Sequence, residues 1–547
     1  LLDTQVGVSL DDQARIPATG PVVVVANHPF GAIEGMILAH VLFQRRADVK
    51  VLANYLLAQV PQAQEFCIFV DPFDRPHSAQ ANIRGLKEAL TWLKQGHMLV
   101  VFPAGEVSHL NLRQGQVVDP AWNDNVARLI RRSEAAVLPA YIHGSNGLFF
   151  HLAGLVHPLL RTVLLPRELL NKRDRTVEVR FGSSISVRQW QAYPTDSELT
   201  AYLRQRTYTL ASRPSTLVEP SRLPQLRFPL PSKPQNFAPI SLAQPGAVLQ
   251  AEIDHLPTSQ LLAESNDLAV YYAQAAQIPN LLIEIGRLRE ISFRDAGEGA
   301  GKALDLDVFD IYYLHLLIWN RARQEIVGAY RLGLTDVILK SHGLKGLYTN
   351  TLFRYSHQFI AQISPAIELG RSFVRPEYQR EYAPLLMLWR GLGQFVMRHP
   401  KYHVFFGPVS ISNAYTGMSR ELLVEFLRMQ YHLPELAPLI KAKNPPRRAG
   451  RAVCKPDELS RMIRDLDELS TVIQDIETDQ KGVPILLKQY LKFGAKVLAF
   501  NVDPEFSNVI DVLVLVNLAQ TNPKVLRRYI EKEQVETFLA YHRPIGG

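Results

Sequence analysis

From Pro214 to Pro245 the chain reads PSTLVEPSRLPQLRFPLPSKPQNFAPISLAQP. Prolines recur every few residues and no apolar period holds. Each proline removes a backbone donor and biases the residue before it away from helix. Neither a helix nor a central strand tolerates that spacing, so the stretch reads as an extended linker. The chain has 547 residues, too many for one hydrophobic core. The expected division is a first domain over residues 1–213, a linker over 214–246 and a second domain over 247–547.

Apolar residues make up 47% and charged residues 20%, proportions of a folded chain that argue against disorder on a large scale. The formal charge is +8, which fits nucleic acid or an anionic membrane surface. Nucleic acid is set aside. The basic stretch KAKNPPRRAGR (Lys441 to Arg451) comes without an aromatic-interleaved RNA motif or a recognition helix. Cys67 and Cys454 make no disulfide framework and no metal-ligand spacing, so no metal is expected and a reducing cytosol fits. The chain begins at Leu1 rather than Met, which leads us to expect a natural start upstream. The most apolar segment is GLFFHLAGLVHPLLRTVLLP, Gly147 to Pro166. Histidines, a proline and Arg161 interrupt it, so it falls short of the roughly 18 apolar residues of a spanning helix. It reads as an interfacial or buried segment.

The first domain alternates β-rich runs (PVVVVAN, DVKVLAN, CIFVD, HMLVVFPAG, AAVLPAYI, TVEVRFG) with helix-period stretches such as Ala79 to Gln95. This alternation predicts an α/β layered domain on a largely parallel sheet, with its site in loops at strand ends. The second domain is predicted to open with helices over SQLLAESNDLAVYYAQ (Ser259 to Gln274). A strand pair then flanks NRARQE, and PAIELGRSFV leads into an amphipathic helix near Glu381 to Arg398. With HVFFGPVSI, KVLAFNV and VIDVLVLVNL this makes a mostly antiparallel α+β domain.

His28 ends the first valine run, and Glu34 follows within a turn. A loop histidine fixed by a carboxylate can act as a general base on a hydroxyl. A satisfied surface histidine beside a helix-start glutamate is the plainer alternative. Three further stretches tip the balance: CIFVDPFDR (Cys67 to Arg75), VFPAGEVSH (Val101 to His109) and AAVLPAYIHG (Ala135 to Gly144). In this order they resemble the sequence blocks of the glycerolipid, lysophosphatidate-type acyltransferases, over roughly residues 15 to 190. The resemblance implies acyl transfer from a thioester to a lipid hydroxyl. His28 and Glu34 would be catalytic, and the block with Phe102, Pro103, Gly105 and Glu106 would bind the acceptor. The spacing departs from the family by one residue, in a turn containing Gly31. The family's phosphate-binding arginine is here Val107, so an acceptor without glycerol phosphate is expected.

In the second domain Arg289 and Phe293, Asp307 and Asp310, Arg331, and Glu368 with Arg371 recur in order. Each alone reads as a solvated acid or a structural ion pair. As a set they resemble acyl-homoserine-lactone synthases of the GNAT superfamily. EIGRLREISFR, GEGAGKALDLDVFDIYYLHL, IVGAYRLG and KGVPILLKQYLKFGAKVLAFNVDPEFSNVIDVLVLV more closely resemble the N-acyltransferases that begin ornithine-lipid synthesis. The resemblance implies acylation of an amino-acid amine, with Glu368 as candidate base and Asp307, Asp310 and the arginines as substrate-binding groups. The usual glycine-rich pyrophosphate loop is replaced by RPEYQREYAPLLMLWRGLG. The expected donor is therefore an acyl carrier protein thioester, with acyl-CoA as the alternative. Arg375 and Arg380 would stand at the donor face.

The order of the two domains resembles the bifunctional ornithine-lipid synthases. That implies a 3-hydroxyacyl group placed on an amino acid, ornithine favoured, by the second domain. O-acylation of its 3-hydroxyl by the first domain would follow. The rivals are the same steps on glycine or another amino acid, and a lysophospholipid acyltransferase with a non-catalytic partner domain. The expected partners are an acyl carrier protein, the amino-acid substrate and a lipid surface. The expected location is peripheral, on the cytoplasmic face of the inner membrane.

Overall fold

A computed structural model describes residues 4–31, 33–59, 61–71, 78–111, 115–173, 175–215, 237–447 and 456–542. Most of the proline-rich linker, the end of CIFVDPFDR, the end of the basic Lys441 stretch and Cys454 lie outside the described residues. By contacts the chain forms two units. One combines Leu1–Pro224 with Ala449–Gly482; the other combines Gln225–Arg448 with Val483–Gly547. The first unit thus recruits a segment from deep in the second half of the sequence, which the single expected boundary at the linker did not anticipate.

In the first unit the strands are β1 (Gln5–Gly7), β2 (Val22–Ala26), β3 (Val49–Asn54), β4 (Cys67–Val70), β5 (Met98–Val101), the small pair β6 (His109–Asn111) and β7 (Gln116–Val118), β8 (Ala136–Ile142) and β9 (Thr176–Phe181). The main sheet runs β1-β9-β8-β2-β5-β3-β4 and is parallel except between β8 and β9. All five residues of β2 are buried. A strand covered on both faces needs a continuous apolar run, which is why VVVVA does not alternate. The chain leaves β2 towards β3, β4 and β5 on one side and returns through β8 and β9 on the other. The strand order therefore reverses at β2, and a crevice opens at the carboxyl ends of β2, β5 and β8.

The segment from the second half of the sequence joins this unit through the helix Leu466–Ile476. Its Asp475 accepts from Arg15 at 2.8 Å, from Arg206 at 2.8 Å and from the Ser183 amide and hydroxyl at 2.8 and 2.7 Å. Glu468 accepts from the hydroxyl of Tyr202. Arg128 and Arg131, in the helix Asn125–Ser133, are paired with Asp196 at 3.2 and 2.9 Å.

The second unit holds β10 (Leu261–Ser265), β11 (Leu268–Gln274), β12 (Leu314–Asn320), β13 (Glu325–Leu334), β14 (Phe353–Tyr355), β15 (Ala366–Val374), β16 (Val404–Ile411), β17 (Ile440–Ala442), β18 (Lys496–Asp503) and β19 (Val509–Asn517). Its main sheet runs β10-β11-β12-β13-β15-β16-β19-β18, and only β15 and β16 are parallel. Ser259 to Gln274, expected as helix, is largely the β10–β11 hairpin. Asn266 at the turn takes φ +51°, a conformation asparagine tolerates. Ala269, Tyr271 and Ala273 then alternate onto the core beneath the helices Gly246–Asp254 and Pro279–Asp295. Tertiary burial outweighs the helix-forming Leu-Leu-Ala.

Candidate active sites

In the first unit three strand ends converge. Asn27 closes β2 onto β8: its amide donates to the Ile142 carbonyl at 2.9 Å, and the Ile142 amide donates back at 2.7 Å. The next residue, His28, is thereby fixed at the crevice. Its amide donates to Asp119 Oδ1 at 3.1 Å, and its carbonyl accepts from the Ser108 amide at 2.8 Å. Its ring lies 4.7 Å from that of Phe102, just past β5. Glu34 stands in the first turn of the helix Ile33–Phe43 and is fully buried. Glu34 Oε1 is 3.2 Å from His28 Nδ1 and accepts from the amides of Phe30 and Gly31. The two groups stand at ion-pair distance, but the orientation of His28 Nδ1 makes no hydrogen bond to the carboxylate.

Electrostatics bias this pair towards the charged imidazolium–carboxylate form. Burial alone would lower the His28 pKa, but the Glu34 carboxylate outweighs it and the net direction is up. Burial would likewise raise Glu34, yet His28 and the turn amides bring it below the usual carboxylate value. The residue extra to the family spacing falls in the turn where Gly31 adopts φ +104°. A Cβ there would come within 2.6 Å of Leu165 and 2.7 Å of Val107. Gly31→Ala is therefore expected to cost more than about 1 kcal/mol and to lower O-acyl transfer, read as denaturant midpoint and initial rate. Native values of both would remove the turn from the argument.

Gly105 takes φ +67° and donates to the Phe102 carbonyl at 3.1 Å, closing the Phe102–Pro103–Ala104–Gly105 turn. The Pro103 carbonyl accepts from Asn123 at 2.9 Å. Glu106 is mostly exposed, 3.9 Å from Arg161. Two residues escaped the sequence reading. Asp119 is buried and receives the His28 amide, the Ser108 hydroxyl at 2.5 Å and the Trp122 indole at 3.0 Å. Ser108 ties that carboxylate to the loop after β5. Only Ser108 carried a signal, as part of the quoted block; Asp119 lies in no motif.

The second unit gathers its candidates on one face of the sheet. Arg289 donates to Asp310 at 2.7 Å, and Arg331 NH1 reaches Asp307 at 2.6 Å and Asp310 at 3.2 Å. Arg371 lies 3.1 Å from Asp305 and 3.5 Å from Asp307 and donates to the Tyr348 hydroxyl at 3.0 Å. A β-bulge makes this possible. Between the pairs Ala329–Phe373 and Arg331–Gly370, β15 carries one residue more than β13. Arg371 sits there at φ +52°. The extra residue keeps its side chain on the face of Arg331, where strict alternation would turn it away. Nε and NH2 of both Arg289 and Arg331 are buried and unpartnered. Unsatisfied guanidinium donors are costly, and a carboxylate is their natural partner. Asp305 was missed, although LDLDVFD shows a third acid two residues before Asp307. Tyr348, whose ring lies under the guanidinium of both Arg331 and Arg371, was missed as well.

Glu368 is buried on β15 and accepts from the Tyr313 hydroxyl, the Tyr348 amide at 3.2 Å and the Thr349 amide at 2.6 Å. Burial pushes its carboxyl up, against these donors. It holds the Tyr348–Thr349 segment against the arginines, and an amine would reach it only by displacing a donor. Phe293 stands edge-on to Phe506 at 6.0 Å. Arg375 is engaged by Glu325 and Glu377, and Arg380 is exposed just before the helix Tyr382–Arg398. The parallel strands β15 and β16 pair only from Ala366–Val404 to Glu368–Phe406, then part. Gly407 marks the fork, where a Cβ would lie 2.1 Å from the Leu369 carbonyl.

Two acyltransferase-type domains in one chain are what the family matches show. Residues 4–215 match the acyltransferase family, and residues 288–390 match the acetyltransferase (GNAT) domain family. The glycine N(alpha)-acyltransferase of Phocaeicola vulgatus is 36% identical over 36% of this chain and 62% of its own length. That of Bacteroides thetaiotaomicron is 37% identical over 34% and 58%. The lyso-glycine lipid O-acyltransferase of Phocaeicola vulgatus is 25% identical over 37% of this chain and 73% of its own. The chain thus spans about three-fifths of the N-acyltransferases it matches. The crystal structure of the acyl-homoserine-lactone synthase LasI aligns at a TM-score of 0.20 and 14% identity, over 26% of this chain and 72% of that one, a likeness too slight to carry weight. Among the described residues no helix is long and apolar enough to cross a membrane.

Proposed function

We propose that this chain builds an amino-acid lipid by two successive acylations. The GNAT-type unit joins a 3-hydroxyacyl group to the amine of an amino acid, and the His28 unit then esterifies the 3-hydroxyl with a second acyl chain. One observation carries the reading: relatives named for an N-acylation and for the O-acylation of the corresponding lyso-lipid both match this single chain. In the O-acylation His28 takes the hydroxyl proton, the oxygen attacks the thioester carbonyl, the C–S bond breaks and the thiolate leaves with a proton. In the N-acylation the unpartnered donors of Arg289 and Arg331 hold the amino acid's carboxylate. The fork between β15 and β16 leaves backbone groups for the amide-bearing arm of a carrier-protein or coenzyme A thioester. Arg380 meets the acidic donor, and the enzyme works from the cytoplasmic face of the membrane.

The relatives' names favour glycine as the amino acid. A second reading, ornithine, is favoured by two carboxylates near Arg371, Asp503 and Asp511, with Glu298 beside Asp511. Glu298 accepts from Ser410 at 2.7 Å, and Ser410 pairs directly with Asp511 across β16 and β19. Asp511 Oδ2 is buried without a partner, and burial together with Asp503 and Glu298 drives its pKa well up. A second amine would suit that place. Lipid mass spectrometry of a host lacking amino-acid lipids and expressing the intact chain decides both points. A new diacylated lipid is expected, and its headgroup names the amino acid. Glu368→Ala is expected to yield neither that lipid nor its monoacylated precursor. A well-expressed chain that makes no new lipid overturns the reading.

A further inference from the structure

The segment Gly147 to Pro166, ambiguous in the sequence, folds as a helical hairpin, Leu148–Val156 followed by Pro158–Leu170. Its inner side is anchored. Phe150 and His151 are buried, and Glu168 accepts from the Gly147 amide at 2.9 Å. Leu165 closes on Gly31, and Arg161 stands 3.9 Å from Glu106, so the hairpin walls the His28 site. Its outer side is apolar and uncovered. Leu148, Phe149, Leu152 and Leu155 fall within one face of the first helix, and Val163 and Leu170 within one face of the second. Val163 is 73% exposed, Leu148 72%, Leu170 69% and Phe149 60%. Isolated exposed leucines need no explanation, but a contiguous apolar face does.

Charge names the occupant. From Gly147 to Arg175 the chain carries five bases (Arg161, Arg167, Lys172, Arg173, Arg175) and two acids (Glu168, Asp174). Glu168 is buried as the cap of Gly147 and Lys172 is buried with its ammonium on the Ser145 carbonyl, which leaves Arg167, Arg173 and Arg175 exposed. Arg167 is exposed on the outer stripe, and its guanidinium lies 5.5 Å from the Phe149 ring centre. That is the posture of a side chain whose stem lies among apolar groups and whose head stays in the polar layer. Apolar side chains fringed by arginines match the interface of a bilayer with anionic headgroups.

We infer that the Leu148–Leu170 hairpin is the membrane-docking element of the first unit. It seats its outer face in the headgroup layer of an anionic bilayer, so that the mouth of the His28 site opens where a lipid hydroxyl lies. The inference rests on the reading of that site as one for a lipid acceptor, but its test does not need turnover. The full chain is sedimented with phosphatidylcholine vesicles, with and without phosphatidylglycerol. The same is done for Leu148→Ser/Phe149→Ser/Leu155→Ser and for Arg167→Glu. The native chain is expected to bind the phosphatidylglycerol vesicles at least about tenfold more tightly than the neutral ones, with added salt weakening it. The triple variant is expected to lose at least about tenfold in binding while keeping its thermal midpoint. Arg167→Glu should lose the preference for anionic vesicles. Failure of the native chain to bind, or equal binding by the triple variant, overturns the inference. So does a native dimer that the triple variant splits, with no vesicle binding by either, because the face would then belong to a second copy. Vesicle binding by a chain that transfers no acyl group leaves the docking element standing and removes the catalytic reading instead.

Discussion

His28→Ala is expected to slow O-acyl transfer by about a thousandfold, the usual contribution of a positioned general base, while N-acylation proceeds and the monoacylated lipid accumulates. The side chain is partly exposed, and Glu34 keeps its two turn amides without it, so the fold should survive. The pH profile separates chemistry from structure. His28 works as a base only when neutral, and Glu34 raises its pKa above the ordinary 6.5. O-acyl transfer should therefore fall in acid with a midpoint above that value. Glu34→Gln removes the carboxylate that raises it, so the acid limb should move to lower pH and the maximal rate should drop as the ring loses its orienting partner. A native O-acylation rate in His28→Ala would take the residue out of the reaction.

The largest effect on stability is expected far from either site. Asp475→Ala should destabilise the first unit by about 3–5 kcal/mol, the cost of removing one partner from a buried ion pair. Asp475 and Arg206 are both 1% exposed, and Arg15 shares the same carboxylate. Alanine would leave both guanidinium charges without their carboxylate, though each keeps a neutral acceptor, and would strand the Ser183 amide and hydroxyl. Asp475→Asn keeps an acceptor of the same shape and should cost less. Denaturant unfolding followed by tryptophan fluorescence would show the first unit's transition moving to lower denaturant. An unmoved midpoint in Asp475→Ala would mean the cluster is solvated. Residues 1–213 expressed alone should behave as the alanine variant does, or worse, because Leu466–Ile476 is part of that unit's structure.

Much of the architecture is local and therefore legible. VVVVA is buried on both faces, so its period vanishes, and His28 stands after it because strand ends in such sheets hold the loops that do chemistry. The β12–β13 hairpin was legible as two β-rich arms around the polar NRARQE, and the helix Tyr382–Arg398 as an amphipathic period. The sequence also placed Asp307, Asp310, Arg331 and Arg371 in one set, and the fold brings them within hydrogen-bonding reach of one another.

What the sequence could not express is selection by burial across long separations. Asp119 reaches His28 from 91 residues away, and Asp475 reaches Arg206 from 269. No local period marks either acid. Arg371 would be turned from its partners by strand alternation, and only the mismatch with β13 turns it back. Arg375 looked free for a donor until Glu325 arrived from the neighbouring strand. By itself the sequence determined most of the elements and the residues at their ends, because those follow from near-neighbour sterics and periodicity, while at Ser259 to Gln274 burial overrode local preference. Only the tertiary structure decided which charges meet, because a buried ion is held by whichever opposite charge the packing delivers, whatever its place in the chain.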